Sequence, residues 1–273
     1  MKLTKKGYLI AIDIDDTLAY NTDIFDTKAI SLLKEIKDYN YVILTTGRPF
    51  RGTVKIYNEL NLNTPVINYN GSLIHIPNDP TFPKFMNTVK KEHIIDIYEN
   101  NKDDFVNIFS EIEDDLYLLK LQDDIKGYMH IDPNKLHIGD LKDTLKEDPN
   151  GAICFTHKGS EERLTNYVNS HYKDELFIRF YHNDRYAVSE IYPVSTSKGN
   201  ALKKVIDYYH VPFEKTISIG DGHNDISMFE VTNIKVGMAN GHPDLLKHAN
   251  TITKTVWENG VYEFLKDFFY KED

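Results

Sequence analysis

The chain has 273 residues, enough for a sizeable core and for two domains, and its 41% hydrophobic and 27% charged content is that of a soluble globular protein. Its formal net charge of −10, from 42 acidic against 32 basic residues, argues against a general binder of nucleic acid or of anionic membranes, which would need a basic face. No apolar run approaches bilayer-spanning length, and the run ahead of Asp13 is too short for a signal peptide.

Residues 8–12, Tyr-Leu-Ile-Ala-Ile, form a short apolar run that predicts a buried strand. Asp26 or Thr27 can cap a helix whose stripe is Ala29, Ile30, Leu33 and Ile36. Residues 41–44 predict a second buried strand, followed by Thr45-Thr46-Gly47-Arg48-Pro49 and a helix through Val54, Tyr57 and Leu60. Val66-Ile67 is a third strand, ending at Asn68-Tyr69-Asn70-Gly71. Such strand–helix alternation implies a parallel sheet. Residues 78–83 are rich in turn formers and read as a linker. Beyond them the pattern changes to mixed helices, such as 90–100, and short apolar runs, such as 177–181. The single cysteine, Cys154, excludes an intrachain disulfide, reads as a small buried hydrophobe, and fits a reducing compartment; the cytoplasm is expected. After Tyr192-Pro193 the first pattern returns, with a helix through Ala201, Leu202, Val205 and Ile206, a strand at 216–219, and short strands at 234–237 and 251–253. The expected architecture is α/β: a doubly wound, mainly parallel, Rossmann-like sheet from residues 1–83 and 188–273, with an α+β domain inserted at 84–187.

Four groups fall at strand ends or helix starts on one edge of that sheet. In Asp13-Ile14-Asp15-Asp16-Thr17 three carboxylates bunch at a strand end, where they repel one another unless a cation sits among them. Residues two apart on a strand share a side, so Asp13 and Asp15 are expected to share one space. Thr45-Thr46-Gly47 offers a hydroxyl and a flexible turn to an anion. Lys198 opens the third helix of the repeating pattern. Gly220-Asp221-Gly222-His223-Asn224-Asp225 follows the 216–219 strand. Together they supply hard oxygen ligands, a nucleophilic carboxylate, and cationic and hydroxyl groups for phosphate. His223 has no companion His or Cys at zinc-ligand spacing.

Asp13-x-Asp15-x-Thr17-Leu18, Thr46-Gly47-Arg48-Pro49, Asn70-Gly71, Lys198-Gly199-x-Ala201-Leu202 and Gly220-Asp221-Gly222-x-Asn224-Asp225-x-x-Met228 resemble, in order, the motifs of the haloacid dehalogenase superfamily. Val236-Gly237-Met238-Ala239-Asn240 and Glu258-x-Gly260-Val261 narrow the resemblance to its Cof-type phosphatase branch. The likeness covers the α/β core, and the middle domain only by length and position. Asp16 departs from the pattern, since many members have Gly there; a turn role is expected of it.

The resemblance implies a Mg²⁺-dependent phosphatase for small phosphorylated metabolites, sugar phosphates above all. Asp13 would attack phosphorus to form a phosphoaspartate, and Asp15 would protonate the leaving alcohol and then activate water. Asp13, Asp221 and the Asp15 carbonyl would hold Mg²⁺, with Asp225 in an outer shell. Thr46, Gly47, Lys198 and Asn224 would take the phosphoryl group, and the inserted domain would act as a cap choosing the leaving group. Arg48, Asn70 and Tyr20 could reach that leaving group or simply pack. A phosphosugar mutase and a non-catalytic phosphate-responsive protein are the alternatives. No nucleic acid, membrane or obligatory protein partner is expected.

Overall fold

The computed structural model describes residues 2–21, 24–181 and 183–271. The chain divides into two units, one of Met1–Arg48, Thr53–Phe85 and Ser197–Asp273, the other of Pro49–Gly52 and Met86–Thr196.

The first unit is built on an eight-stranded sheet in the order Thr251–Ile252, Ile234–Gly237, Thr216–Gly220, Leu9–Asp13, Tyr41–Thr45, Val66–Asn68, Leu73–His75 and Phe85–Met86, the last being where the chain leaves the unit. The first six strands run parallel, and Leu73–His75 returns antiparallel to Val66–Asn68. Every residue of Leu9–Asp13 is buried, as a parallel strand covered on both faces requires. On one face Leu9, Ala11, Ile43 and Ile67 pack with Ala201, Leu202 and Val205 of the helix Lys198–Tyr209. The helices Thr27–Ile36 and Gly260–Phe269 pack together. Asp26 caps the former, its Oδ1 accepting from the N–H of Lys28 and of Ala29, each at 3.0 Å.

Numbered along the chain, the six parallel strands lie in the order 6-5-4-1-2-3, the Rossmann arrangement. Leu9–Asp13 and Thr216–Gly220 are neighbours in register, Ile12 opposite Ile219, yet their connections depart in opposite directions across the sheet. That reversal positions the site.

The second unit carries a six-stranded sheet in the order Leu136–Ile138, Asp115–Leu118, Phe105–Ile112, Gly151–Thr156, Ala187–Pro193 and Leu176–Tyr181, antiparallel apart from the first pair. Ile108, Cys154 and Ile191 face a core completed by Ile94 and Ile97 of the helix Lys91–Asn100 and by Leu164 and Val168 of Glu161–Tyr172. Phe109, Phe155 and Val188 build a smaller core on the other face with Ile125 and Met129. Cys154 is buried, and burial pushes its thiol up to about 12, so it is an inert packing residue.

Two boundaries differ from the sequence expectation. The second unit runs to Thr196 rather than 187, because Ala187–Pro193 pairs on both sides with strands of the second sheet. Residues 78–83 are not a free linker, since Phe82 is 4% exposed and packs in the first unit against Phe85 and Tyr208. Among the described residues no helix is long and apolar enough to cross a membrane.

Candidate active site

Where the order of a parallel sheet reverses, the loops after the two neighbouring strands diverge and leave a crevice beyond their carboxyl ends. Asp13 is the last residue of one of those strands, and Asp221 follows the last residue of the other. Asp13 is 5% exposed. Lys198, the first residue of its helix and 1% exposed, donates from Nζ to Asp13 Oδ1 and, at 2.6 Å, to Asp225 Oδ1. The other Asp225 oxygen accepts from the backbone N–H of Asp221 at 3.1 Å and of Gly222 at 2.9 Å. Thr17 Oγ1 donates to Asp221 Oδ1 at 2.9 Å. Carboxylate oxygens of Asp13, Asp221 and Asp225 lie within 4.8 Å of one another.

Lys198 is delivered by a close helix approach. The helix Lys198–Tyr209 packs on Ile226–Glu230, and Gly199 N–H donates to Ser227 Oγ at 3.0 Å. A Cβ on Gly199 would lie 2.0 Å from the Ser227 carbonyl oxygen, so no other residue fits there. Ser197 caps the helix by accepting from Asn200 N–H at 3.0 Å.

Three carboxylates face one ammonium, and the electrostatics show the imbalance. Burial pushes the Asp13 carboxyl well above its ordinary value, Asp225 adds to the rise, and Lys198 offsets only part of it. Asp221 is pushed up to about 7, by burial and then by Asp225, against the pull of the Thr17 hydrogen bond. Burial alone would lower the Lys198 ammonium, but Asp13 and Asp225 outweigh it and hold Lys198 charged. An all-oxygen cluster short of positive charge suits a hard divalent cation such as Mg²⁺. Asp225, with both oxygens engaged by protein donors, fits an outer role.

Asp15 is not buried with Asp13. The strand ends at Asp13, the chain turns, and strand alternation stops applying. The Asp15 side chain is 52% exposed and accepts from Arg48 Nε at 2.9 Å and Nη2 at 2.5 Å. Arg48 is thus a partner of Asp15. Asp16 occupies the left-handed region (φ 57°), where Gly or Asp is tolerated, and its N–H donates to the Ala19 carbonyl at 2.7 Å. Asp16 makes the turn.

Thr46 is buried beside this turn; its Oγ1 accepts from Arg48 N–H at 3.1 Å, and Gly47 is exposed. Asn224 Nδ2 donates to Asn70 Oδ1 at 2.9 Å. His223 is exposed and meets His242 edge to face at 6.0 Å, outside the carboxylate cluster. Sequence reasoning assigned no role to Thr17 and left Arg48 and Asn70 open. A hydroxyl two residues past Asp15 was the available signal for Thr17, whereas the Arg48 pairing spans 33 residues and has no local signature.

Residues 10–265 match the family model of haloacid dehalogenase-like hydrolases. The 5-amino-6-(5-phospho-D-ribitylamino)uracil phosphatase YitU of Bacillus subtilis (strain 168) is 29% identical over 268 residues, covering 97% of this chain and 98% of its own. A second phosphatase of that name from the same organism, YwtE, is 25% identical over 285 residues, covering 94% and 96%. A crystal structure from Thermotoga maritima aligns with a TM-score of 0.82 at 22% identity, covering 97% of this chain and 98% of that one. A sugar phosphatase of haloacid dehalogenase subclass IIB aligns at 0.77 with 18% identity, covering 96% and 98%. At those identities the structures speak for the fold, and the family model for membership: the chain belongs to the haloacid dehalogenase-like hydrolases and is an enzyme of their phosphatase kind.

Proposed function

We propose that this enzyme is a Mg²⁺-dependent phosphatase that hydrolyses small phosphate monoesters with a sugar or sugar-alcohol leaving group, through a phosphoaspartate on Asp13. The observation that carries the reading is the buried Asp13 carboxylate held against Lys198 at the sheet reversal, with Asp15 on the same turn but open to solvent. Asp13 attacks phosphorus as the bond to the leaving oxygen breaks, and Asp15 supplies that oxygen with its proton. Asp15 then takes a proton from the water that cleaves the phosphoaspartate. Lys198 keeps an ammonium on the Asp13 oxygen. Thr46, whose hydroxyl oxygen already accepts from Arg48, has its own hydrogen left to donate to a phosphoryl oxygen. Gly47 leaves the exposed turn open to the phosphate, and Asn224 keeps one N–H beyond the bond to Asn70. Mg²⁺, held by Asp13, Asp221 and the Asp15 carbonyl with Asp225 behind them, would supply positive charge to the phosphoryl oxygens.

The second unit is assigned the role of the cap that chooses the leaving group. Two Bacillus subtilis relatives named for a ribitylamino-uracil phosphate support a phosphorylated polyol as the substrate class. The enzyme is read as cytoplasmic, acting on free metabolites without a protein partner. The test is a phosphate-release screen of sugar phosphates, sugar-alcohol phosphates including 5-amino-6-(5-phospho-D-ribitylamino)uracil, nucleotides and cofactor phosphates, compared by kcat/KM. Polyol phosphates should lead, and Asp13→Asn should abolish turnover with the fold intact. Near wild-type release from Asp13→Asn would remove the nucleophile assignment.

A further inference from the structure

Three successive residues after the strand Val66–Asn68 take left-handed backbone: Tyr69 (φ 52°), Asn70 (φ 53°) and Gly71 (φ 105°). Glycine adopts this region freely and asparagine tolerates it, but a tyrosine is held there only by its surroundings. Here the surroundings are the phosphate-side turns. Asn68 Nδ2 donates to the Arg48 carbonyl at 2.9 Å and to Thr53 Oγ1 at 3.1 Å. Tyr69 N–H reaches the Arg48 carbonyl at 3.3 Å, and Asn70 N–H reaches the Thr46 carbonyl at 3.0 Å. A Cβ on Gly71 would stand 2.3 Å from the carbonyl oxygen of Ser197, the residue before Lys198.

The strained turn is therefore fastened to the Thr46–Arg48 segment and pressed against the start of the Lys198 helix. Its product is the placement of one carboxamide. Asn70 is 8% exposed, lies against Gly47, and accepts from Asn224 Nδ2.

We propose that Asn70 is a positioning residue for the phosphoryl group, acting by locking the carboxamide of Asn224; this rests on the phosphatase reading above. A free asparagine side chain rotates about two bonds and presents its donors in many directions. With one N–H spent on Asn70, the second N–H of Asn224 keeps a single orientation, as preorganised binding of a phosphoryl oxygen requires. The backbone strain in residues 69–71 is the cost of placing the Asn70 carboxamide where Asn224 donates to it.

The test is a mutant cycle. Asn70→Gly keeps the left-handed backbone and deletes the carboxamide. Wild type, Asn70→Gly, Asn224→Ala and the double variant are compared for kcat and KM on p-nitrophenyl phosphate, for the inhibition constant of inorganic phosphate, and for melting temperature. Asn70→Gly should raise KM and the phosphate constant by about tenfold, the worth of one well-placed hydrogen bond. The double variant should be no worse than Asn224→Ala alone, because the two residues act as one. Effects that multiply, or a phosphate constant unmoved by Asn70→Gly, would overturn the proposal. Should Asn70→Gly not fold, the wild type still decides: the side-chain NH₂ signals of Asn224 should shift on titration with inorganic phosphate, and static signals overturn the proposal. A wild type that releases phosphate from no ester refutes the phosphatase reading instead, while the phosphate titration continues to read the Asn70–Asn224 pair.

Discussion

Protons and a divalent cation should compete for the carboxylates of Asp13 and Asp221, and the competition has a calculable size. The Asp221 carboxyl, ordinarily near 3.8, lies at about 7 in the folded chain, from burial first and Asp225 second. Asp13 is raised in the same direction. Between those two values the folded state holds a proton that the unfolded state has released. Unfolding then loses protons, so the stability of the metal-free protein falls as pH rises from about 4 to about 7 and is flat beyond. For Asp221 the span of about 3 pH units is worth on the order of 4 kcal/mol at pH 8. Mg²⁺ binding at pH 8 should return much of that, and at about 2–4 °C per kcal/mol for a chain of this size the melting temperature should rise by roughly 10 °C. Below pH 7 the cation must displace a proton, so its apparent affinity should drop about tenfold per pH unit for each proton displaced. Scanning calorimetry in chelator and in excess Mg²⁺ at pH 5.5 and 8 measures both effects, with Asp221→Asn as the variant whose pH slope should flatten. An equal Mg²⁺ shift at the two pH values would refute the reasoning, as would an unaltered slope in Asp221→Asn.

Lys198→Met should destabilise the protein by about 3–5 kcal/mol, because it leaves the buried Asp13 and Asp225 without their ammonium, and should drop kcat by at least about a thousandfold; denaturant titration and phosphate release check the two effects. Gly199→Ala forces a Cβ to within 2.0 Å of the Ser227 carbonyl oxygen and should cost about 3 kcal/mol, read as a lower melting temperature, with kcat falling as Lys198 is displaced. Asp16→Gly keeps the positive φ and relieves its strain, so stability should hold or rise by up to about 1 kcal/mol and kcat/KM should stay within about threefold; a large loss of activity would show that Asp16 does more than turn the chain.

The parallel core was legible because its strands are covered on both faces and so read as apolar runs, Leu9–Asp13 and Tyr41–Thr45 above all. Short polar motifs at the ends of such runs pointed to the candidate site, where Asp13, Lys198, Asp221 and Asp225 meet. The second boundary was not legible: Ala187–Pro193 is buried along its whole length although Ser189 and Glu190 interrupt its apolar residues. Its allegiance is decided by hydrogen bonding to Gly151–Thr156 and Leu176–Tyr181, which no local pattern records. Phe82, one aromatic among turn formers, is likewise buried in part by the distant Tyr208. The Asp15–Arg48 and Asn70–Asn224 pairs are of this kind, each fixed by where two turns meet after folding.

Under the proposed mechanism, the end of one strand is what would let two aspartates two residues apart take opposite tasks. A nucleophile gains from desolvation, which strips the water shell from its attacking oxygen, provided a cation keeps it ionised. Asp13 is the last residue held by the sheet and is buried beside Lys198; in the proposed mechanism Lys198 and a bound divalent cation together would keep it ionised. A proton carrier has the reverse need, since it must exchange protons with solvent between the two half-reactions. Asp15 stands past the strand end, half exposed, after the chain has turned through Ile14. Had the strand run on to residue 15, alternation would have put both carboxylates into one buried space, where each would raise the other's pKa and neither role could be filled. The turn made by Asp16 at positive φ, with its N–H on the Ala19 carbonyl, would therefore serve the proposed mechanism by taking Asp15 out of the strand.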